Sequence, residues 1–229
     1  MIKKCAALSA KNLKGVTKMI LTVEVDIFGI MEENTYFFID DETDSGFLID
    51  PGAEAEKLLQ IAADKKFTIE KILLTHGHYD HIGAVNEIRR ALNIPVCMGR
   101  GGNFYARDPI SNGSRFFNQE IILDDVTILD DAAEIFLSAN PNFKVKVIAA
   151  PGHTLDGTIY YSEKNSVAFV GDTIFYGGHG RTDLAGGSEI DLMNTIKNKV
   201  FTLPDETILF CGHGRETTVA EEKYRAWYT

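Results

Sequence analysis

The sequence predicts an α/β protein in which sheets are covered by helices within a single domain. Strand-like and helix-like segments mix along the chain, and no internal repeat, low-complexity segment or linker divides it. The 229 residues suffice to bury a sizeable core, and a hydrophobic fraction of 45% with 24% charged residues is typical of a soluble globular protein. We therefore expect residues 19–229 to form one domain, preceded by a solvated extension at residues 1–18.

The first half of the chain predicts a hairpin followed by helices and short strands. The alternation of apolar and polar residues in "ILTVEVDIF" is typical of a strand with one buried face, and the polar turn "DETDSG" separates two further strands, "TYFFID" and "GFLID". Helices are expected at residues 53–66 and 82–92, and short strands at residues 71–74 and 94–99. Residues 99–120, rich in Gly, Asn and Arg, predict a long irregular loop.

The second half repeats this mixed pattern. Short apolar segments and segments with helical spacing follow one another up to the last residues. We expect strands at residues 144–150, 157–161, 166–170 and 206–210, and helices at residues 189–200 and 217–228.

Charge and cysteine content limit the partners and the compartment. The net charge of −10 is unfavourable for binding a phosphate backbone, so we expect no nucleic-acid partner. No apolar run approaches the ~20 residues that cross a bilayer, so no membrane partner is expected either. The three cysteines share no metal-binding spacing and are odd in number, which favours a reducing compartment. The sequence thus predicts a cytoplasmic protein and leaves its oligomeric state open.

Three of the six histidines lie within the segment "THGHYDH", residues 75–81. Clustered imidazoles repel one another when protonated, whereas a metal ion occupies the ring nitrogens and keeps the rings neutral. His76 and His78 are two residues apart, so in extended backbone they project to the same side and can share one ion. Asp80 and His81 lie beyond a bend and can address a second ion or a different face.

Three more ligand-type residues follow the ends of predicted strands. His153 lies in "AAPGHT", Asp172 in "AFVGDT" and His213 in "LFCGHG", where neighbouring glycines let the backbone turn sharply. A single His or Asp at a strand end is more often structural than a ligand. Several strand ends that all deliver such side chains favour one shared site, because loops can converge there while the sheet stays rigid.

In this order the motifs resemble the metallo-β-lactamase superfamily: HxHxDH, then His in "PGHT", Asp in "GDT" and His in "GHG", with Asp50 of "LIDPG" matching the first motif. The resemblance extends from about Met19 to the end of the sequence. It implies a four-layer αββα sandwich of two mixed β-sheets flanked by helices. Within the superfamily, "GHGRTDLAGGS", "DPISNGS" and "GHGRETTVAEE" are similar to the glyoxalase II-like (hydroxyacylglutathione hydrolase-like) branch, and above all to its single-domain hydrolases.

The resemblance also implies a site for two divalent metal ions. Carried over motif by motif, the ligands are His76, His78 and His153 for the first ion, Asp80, His81 and His213 for the second, and Asp172 as a bridge. Zinc suits these donors best, and Fe or Mn would also fit. Asp50 is expected to orient a ligand ring, and Arg181 and Asp183 of "GRTDL" to form an ion pair near the metals.

A binuclear hydrolase is the function that such a site implies. Two divalent ions lower the pKa of a shared water toward neutrality, and the hydroxide would attack a carbonyl carbon while a metal stabilises the oxyanion. Zinc also accepts a thiolate leaving group, so a small-molecule thioester or related acyl compound is the expected substrate. Asp80 and Asp172 are the expected catalytic carboxylates. Lactamases of the superfamily often carry Cys where Asp172 stands, which argues against β-lactam hydrolysis.

Three other functions stay open. Persulfide dioxygenases of the superfamily also carry "GRTD" but use one iron, held by two histidines and an aspartate, whereas "CGHGRETT" is closer to the hydrolases. A phosphodiesterase or RNA-processing nuclease shares the ligand set, but the acidic charge argues against it. A metal-binding protein without activity is least favoured, because every ligand position is filled.

Two departures from the family pattern limit the substrate assignment. Two-domain glyoxalase II enzymes have a helical C-terminal domain that supplies part of the glutathione site, and this sequence ends at Thr229, so glutathione thioesters are permitted but not implied. After His153 the sequence reads "TLDGT" where the family more often has Pro-Gly, so a different local turn is expected. Tyr79 either lines the pocket or merely packs, and His179 is expected in an exposed loop. The arginines of the long loop either meet an anionic substrate or are solvated: Arg100, Arg107 and Arg115.

Overall fold

Two β-sheets of six strands each form the centre of the molecule. The computed structural model describes residues 19–225. The extension expected at residues 1–18 and the end of the helix expected at residues 217–228 lie outside the described residues. Among residues 19–225, no helix has the length and apolar character needed to span a membrane.

The first sheet contains the first six strands in chain order. They are β1 (Met19–Ile27), β2 (Met31–Asp40), β3 (Ser45–Ile49), β4 (Thr68–Leu73), β5 (Val96–Gly99) and β6 (Val126–Leu129). The expected hairpin is confirmed, because β2 and β3 pair antiparallel with Asp40 opposite Ser45. From β3 to β6 the strands are parallel, so the sheet is mixed. β6 was not predicted from the sequence, because it is an edge strand without a fully buried residue and hence without a clear apolar face.

The second sheet contains the last six strands and has the order β12-β11-β10-β9-β8-β7. They are β7 (Glu134–Phe136), β8 (Lys144–Ala149), β9 (Thr158–Ser162), β10 (Val167–Gly171), β11 (Ile208–Cys211) and β12 (Thr217–Thr218). Only β10 and β11 are parallel, and the other neighbours are antiparallel. β7 was missed because it has three residues and buries only Ile135.

Helices cover the outer faces of both sheets. They are α1 (Ala55–Lys65), α2 (Tyr79–Ile82), α3 (Val85–Leu92), α4 (Gly102–Ala106), α5 (Glu189–Asn198) and α6 (Val219–Arg225). The helix expected at residues 82–92 is confirmed from Val85 to Leu92 as α3. It begins later than expected, because the Ala84 N–H bonds to the Pro51 carbonyl at 3.0 Å and Ile82 ends the separate helix α2. The helix expected from Thr217 begins later, because Thr217 first pairs with β11. Residues 99–120 are not wholly irregular, because they contain α4 and a 3₁₀ turn at Ser114–Phe117.

Strand β2 shows how the layers form, because both of its faces are buried. Phe37 and Ile39 pack in the cluster that lies between the first sheet and helices α1 and α3. Tyr36 and Phe38 point to the other side, into the core between the two sheets. Full burial of one such phenylalanine contributes about 1.5–3 kcal/mol to the free energy of unfolding. A third cluster packs the second sheet against α5 and the start of α6, so the four-layer αββα sandwich is confirmed.

Hydrogen bonds from β2 also join the two sheets directly. The backbone N–H of Asn34 donates to the Gly212 carbonyl at 2.8 Å, and its side-chain amide donates to the Cys211 carbonyl at 3.0 Å. The Tyr36 hydroxyl donates to the same Cys211 carbonyl. These bonds fix the end of β11 against the first sheet, next to His213.

Candidate metal centre

The seven ligands expected from the sequence meet at one edge of the sandwich, where strands of both sheets end. Two come from the loop after β4, and two from the first turn of α2. The other three follow β8, β10 and β11 in the second sheet. We call these seven residues the ligand cluster: His76, His78, Asp80, His81, His153, Asp172 and His213.

Three imidazoles form one half of the ligand cluster. The donor atoms of His76, His78 and His153 all lie within 4.8 Å of one another. His153 Nδ1 donates to the carbonyl oxygen of Arg181 at 2.7 Å, so its Nε2 is left facing His78 Nδ1 at 2.9 Å. His76 Nε2 is buried without a hydrogen-bond partner. Lone pairs of three rings therefore point at one small volume, as the ligands of one ion do.

Asp80, His81 and His213 form the other half, again with donor atoms within 4.8 Å of one another. His213 Nε2 lies 3.3 Å from Asp80 Oδ2, and its Nδ1 donates to the carbonyl oxygen of Glu32 at 2.7 Å. His81 Nδ1 donates to Asp50 Oδ2 at 3.0 Å. In both rings one nitrogen is thus fixed by the protein while the other faces the cluster, an arrangement typical of metal-binding histidines.

Asp172 lies between the two halves. Its Oδ1 is 3.5 Å from His81 Nε2, and its Oδ2 is 3.6 Å from Nε2 of both His153 and His213. One carboxylate therefore reaches ligands of both halves. This is the position that a bridging carboxylate requires.

Two further carboxylates lie beneath His81. Asp50 accepts the Thr75 N–H at 2.7 Å as well as the His81 ring N–H, so it orients the imidazole as expected. Glu33 is fully buried, and its Oε1 lies 3.8 Å from His81 Nδ1. Glu33 was not predicted from the sequence because it lies inside β2 rather than at a strand end. The signal that could have identified Glu33 is an acidic residue within an otherwise buried strand.

Glycines allow the backbone to approach the cluster closely. A Cβ at Gly212 would lie 2.3 Å from Asp172 Oδ1 and 2.6 Å from His81 Cε1. A Cβ at Gly77 would lie 2.4 Å from Cβ of Tyr105, whose ring packs edge-on against His78 at 5.7 Å between centroids. A side chain at Gly212 would therefore displace Asp172 or His81, and one at Gly77 would displace Tyr105.

The whole of this edge falls within a recognised family pattern. Residues 31–213 match the model of the metallo-beta-lactamase superfamily. The chain belongs to the metallo-β-lactamase superfamily. As a member, it is a metal-dependent hydrolase with a His/Asp cluster suited to divalent ions.

Two curated relatives cover most of this superfamily member. It is 34% identical over 200 residues to the probable metallo-hydrolase YqgX of Bacillus subtilis, covering 85% of this chain and 91% of the relative. It is 29% identical over 206 residues to the hydroxyacylglutathione hydrolase GloC of Haemophilus influenzae, covering 89% and 95%. These likenesses support the glyoxalase II-like resemblance.

Two solved structures are similar over almost their full length. The BLEG-1 B3 metallo-beta-lactamase superposes with a TM-score of 0.84 at 32% identity, covering 92% of this chain and 100% of that one. TTHA1623 in a di-iron-bound form superposes with a TM-score of 0.74 at 29% identity, covering 91% and 100%.

The two halves of the superfamily site differ in electrostatics. Burial, with the nearby imidazoles of His81 and His153, lowers the pKa of His76 well below its ordinary value, and burial beside His153 lowers the pKa of His78 to about 3. Burial also opposes a charge on His81, but Asp172 and Asp80 outweigh it and hold the pKa of His81 well above its ordinary value.

Burial and neighbouring charges also oppose each other at His213 and at Asp172, which lies between the halves. Burial disfavours the charged form of His213, but its hydrogen bond to Asp80 and the charge of Asp172 outweigh burial and hold the pKa of His213 above its ordinary value. Burial would raise the pKa of Asp172, yet the charge of His81, whose Nε2 lies 3.5 Å from Asp172 Oδ1, outweighs burial, so the pKa lies below its usual range. The carboxylates of the cluster are therefore ionised at neutral pH.

Unpaired buried atoms fit a bound metal. His76 Nε2, His78 Nε2, His81 Nε2 and Asp172 Oδ1 are all buried without a hydrogen-bond partner. Leaving such an atom unpaired costs about 1–3 kcal/mol, and a divalent cation would satisfy several of them at once. The donor set of imidazoles and carboxylates suits zinc, iron or manganese.

The outlying candidates lie away from the ligand cluster. Arg181 and Asp183 form the expected ion pair at 2.6 Å, but both side chains are mostly exposed, so the pair contributes little to stability. It is the Arg181 carbonyl that contacts His153. His179 is half-buried rather than exposed, 3.7 Å from Glu189. The arginines of the long loop, Arg100, Arg107 and Arg115, are exposed. Arg100 pairs with Asp130, and Arg115 pairs with Glu120.

Proposed function

We propose that the protein is a binuclear, glyoxalase II-like hydrolase of small-molecule thioesters. The observation that carries this proposal is the position of Asp172 between two sets of three donors. The likeness to the GloC hydroxyacylglutathione hydrolase supports a thioester substrate, and the acidic net charge argues against a nucleic-acid partner. Cys97 and Cys211 are free and buried, in keeping with a cytoplasmic, reducing location.

The roles of the chain's own residues follow from exposure and charge. When bound, two divalent ions supply a water of lowered pKa and a Lewis acid for the carbonyl oxygen. The His213 side chain is 26% exposed, whereas that of His81 is fully buried, so substrate approaches from the side of His213. Burial would raise the pKa of Asp80, but His81 and the bond to His213 hold it below the usual range. Ionised Asp80 can therefore accept a hydrogen bond from the attacking water and orient it.

The proposal also specifies which metal is bound and which bond is cleaved. We favour two zinc ions, since zinc readily accepts a thiolate leaving group, although TTHA1623 is known in a di-iron-bound form. The similarity to the BLEG-1 B3 metallo-beta-lactamase makes β-lactam hydrolysis the second candidate. Against it stands Asp172, where many lactamases of the superfamily carry Cys.

The first experiment is a metal count on protein purified without added metal, followed by a matched substrate panel. The panel contains S-lactoylglutathione, acetyl and phenylacetyl thioesters, a chromogenic cephalosporin, and glutathione persulfide with an oxygen electrode. We expect two ions per chain and thioester hydrolysis that a chelator abolishes and zinc restores. One iron per chain with oxygen uptake, or cleavage of the cephalosporin alone, would contradict the proposal. His213→Ala serves as the control for activity from contaminating enzymes.

A further inference from the structure

Three aromatic rings from three separate segments stack beside the ligand cluster. Tyr79 of α2 packs on Phe117 with ring centroids 4.4 Å apart and on Phe28 with centroids 6.3 Å apart. Phe28 and Phe117 are 5.8 Å apart, and the planes of Phe28 and Tyr79 differ by only 3°. We call Phe28, Tyr79 and Phe117 the aromatic stack.

The aromatic stack is not buried as a core would be. Phe28 is 53% exposed. It lies in the turn between β1 and β2 and has a left-handed φ of 56°. Such a backbone conformation is uncommon for a bulky residue. Ile30 in the same turn and Phe116 next to Phe117 in the chain are also largely exposed. Contiguous exposed apolar groups on a soluble protein usually mark a binding surface.

Tyr79 and Phe28 lie in segments that contain or contact residues of the ligand cluster. Tyr79 lies in the chain between His78 and Asp80, at the first residue of α2. Phe28 belongs to the hairpin whose Glu32 carbonyl accepts the ring N–H of His213. The aromatic stack thus combines the residue that precedes Asp80 with the hairpin that holds His213, the most exposed ring of the second half.

We propose that the aromatic stack binds the acyl group of the substrate and selects thioesters with an aromatic or bulky apolar acyl group. This inference rests on the proposed thioester hydrolysis and names the substrate class of the same site. The exposed face of Phe28 offers a flat apolar surface on which a phenyl ring can pack in an offset arrangement. An acetyl or lactoyl group is too small or too polar to use that surface, so such substrates gain little from it.

The test uses acyl thioesters that share one thiol and differ only in the acyl group, with Phe28→Ala as the variant. We expect the wild-type enzyme to prefer phenylacetyl over acetyl. Phe28→Ala should lower kcat/KM for phenylacetyl about tenfold, equal to about 1.4 kcal/mol, and for acetyl by about twofold or less. Phe28→Leu keeps an apolar side chain and should fall between wild type and Phe28→Ala. Phe136→Ala is the matched control, because Phe136 is 52% exposed and lies on β7, the far edge strand of the second sheet.

A second readout separates binding from the structural role of the stack. Binding of the product phenylacetate, followed by NMR line broadening, should weaken in Phe28→Ala while metal content and melting temperature stay at wild-type values. Equal losses for every acyl group, or no apolar preference in the wild-type enzyme, would overturn the inference and leave thioester hydrolysis standing. Absence of hydrolysis of every thioester by the metal-loaded enzyme would overturn both.

Discussion

Both halves of the ligand cluster contain histidines, but the groups around these rings differ. The half formed by His76, His78 and His153 consists of imidazoles only, and burial lowers the pKa of His76 and His78. In the other half, His81 and His213 lie beside carboxylates, which raise the pKa of both rings. His76 and His78 are therefore neutral in the metal-free protein, whereas His81 and His213 retain their protons to higher pH.

This difference has a direct consequence for metal binding. A neutral imidazole offers its lone pair to an ion at once, but a protonated one must first release its proton. In the proposed two-ion site, His76 and His78 are thus ready for an ion over a wide pH range. His81 and His213 would have to release protons to bind the other ion, so only the occupancy of their half should depend strongly on pH near neutrality.

The largest effect is expected from a change that damages both halves together. In Gly212→Ala the new methyl group would strike Asp172 and His81, which belong to the shared bridge and to the second half. Displacement of ligands by about 1 Å can lower activity about 100-fold, and we expect at least that loss together with loss of both ions. Metal analysis after gel filtration checks this.

The matched control for that variant is Gly178→Ala. A Cβ added at Gly178 would meet no atom within 4 Å, and the φ of this residue is not left-handed, so metal content should stay at the wild-type value. Two ions retained in Gly212→Ala would show that the backbone can move without disturbing the ligands.

A smaller effect is expected when one half is removed at a time. His213→Ala should retain one ion, because His76, His78 and His153 stay complete, and should lose activity about 10–100-fold. His78→Ala removes a neutral ring from the other half and should lower the affinity for the ion that we assign to that half. Titration with a fluorescent zinc chelator measures both affinities. Loss of both ions in His213→Ala would mean that the halves are not independent.

Lowering the pH should release the two ions in sequence. The raised pKa of His81 and His213 means that protons compete for these rings as the pH falls below neutrality, so the ion of this half leaves first. With a pKa of about 3, His78 stays neutral at pH 5.5, so the other ion should remain bound there. Equilibrium dialysis in steps from pH 7.5 to 5.5 measures ions per chain, and the single ion kept by His213→Ala should be unaffected. Simultaneous release would contradict this order.

The smallest effect concerns the buried carboxyl beneath His81. Glu33→Gln keeps the shape of the side chain but removes the acid 3.8 Å from His81 Nδ1. We expect the affinity of the second ion to fall about 3- to 10-fold, with the first ion unchanged. The same chelator titration applies, and Glu32→Gln is the control because Glu32 is exposed and contacts His213 only through its carbonyl oxygen. Equal affinities of Glu33→Gln and Glu32→Gln for the second ion would show that Glu33 does not contribute to metal binding.

How far the sequence predicted this site depends on where each residue lies in the chain. His76, His78, Asp80 and His81 were found because their spacing is local, and the other ligands because each follows an apolar segment that reads as a strand. Glu33 and Tyr105 were missed because their contacts with His81 and His78 arise only when distant segments pack together. No local pattern encodes such contacts.

The same reasoning explains the outcome for the fold. β2 was recognised because its residues are apolar on both faces, whereas β6 and β7 are edge strands that bury little. The difference in histidine pKa between the two halves could not be predicted from the sequence either, because it depends on how closely Asp172 approaches His81 and His213 after folding.

The arrangement of the two sheets sets an order for biosynthesis. All six strands of the first sheet precede all six of the second along the chain. A ribosome therefore completes the segment that holds His76 and His78 well before the bonds from Asn34 and Tyr36 to Cys211 can form. Until then the nascent chain has an uncovered inner face and incomplete chelating groups. Correct metal acquisition must follow translation of β11, and a nascent chain stalled before that strand would be exposed both to aggregation and to capture of the wrong cation.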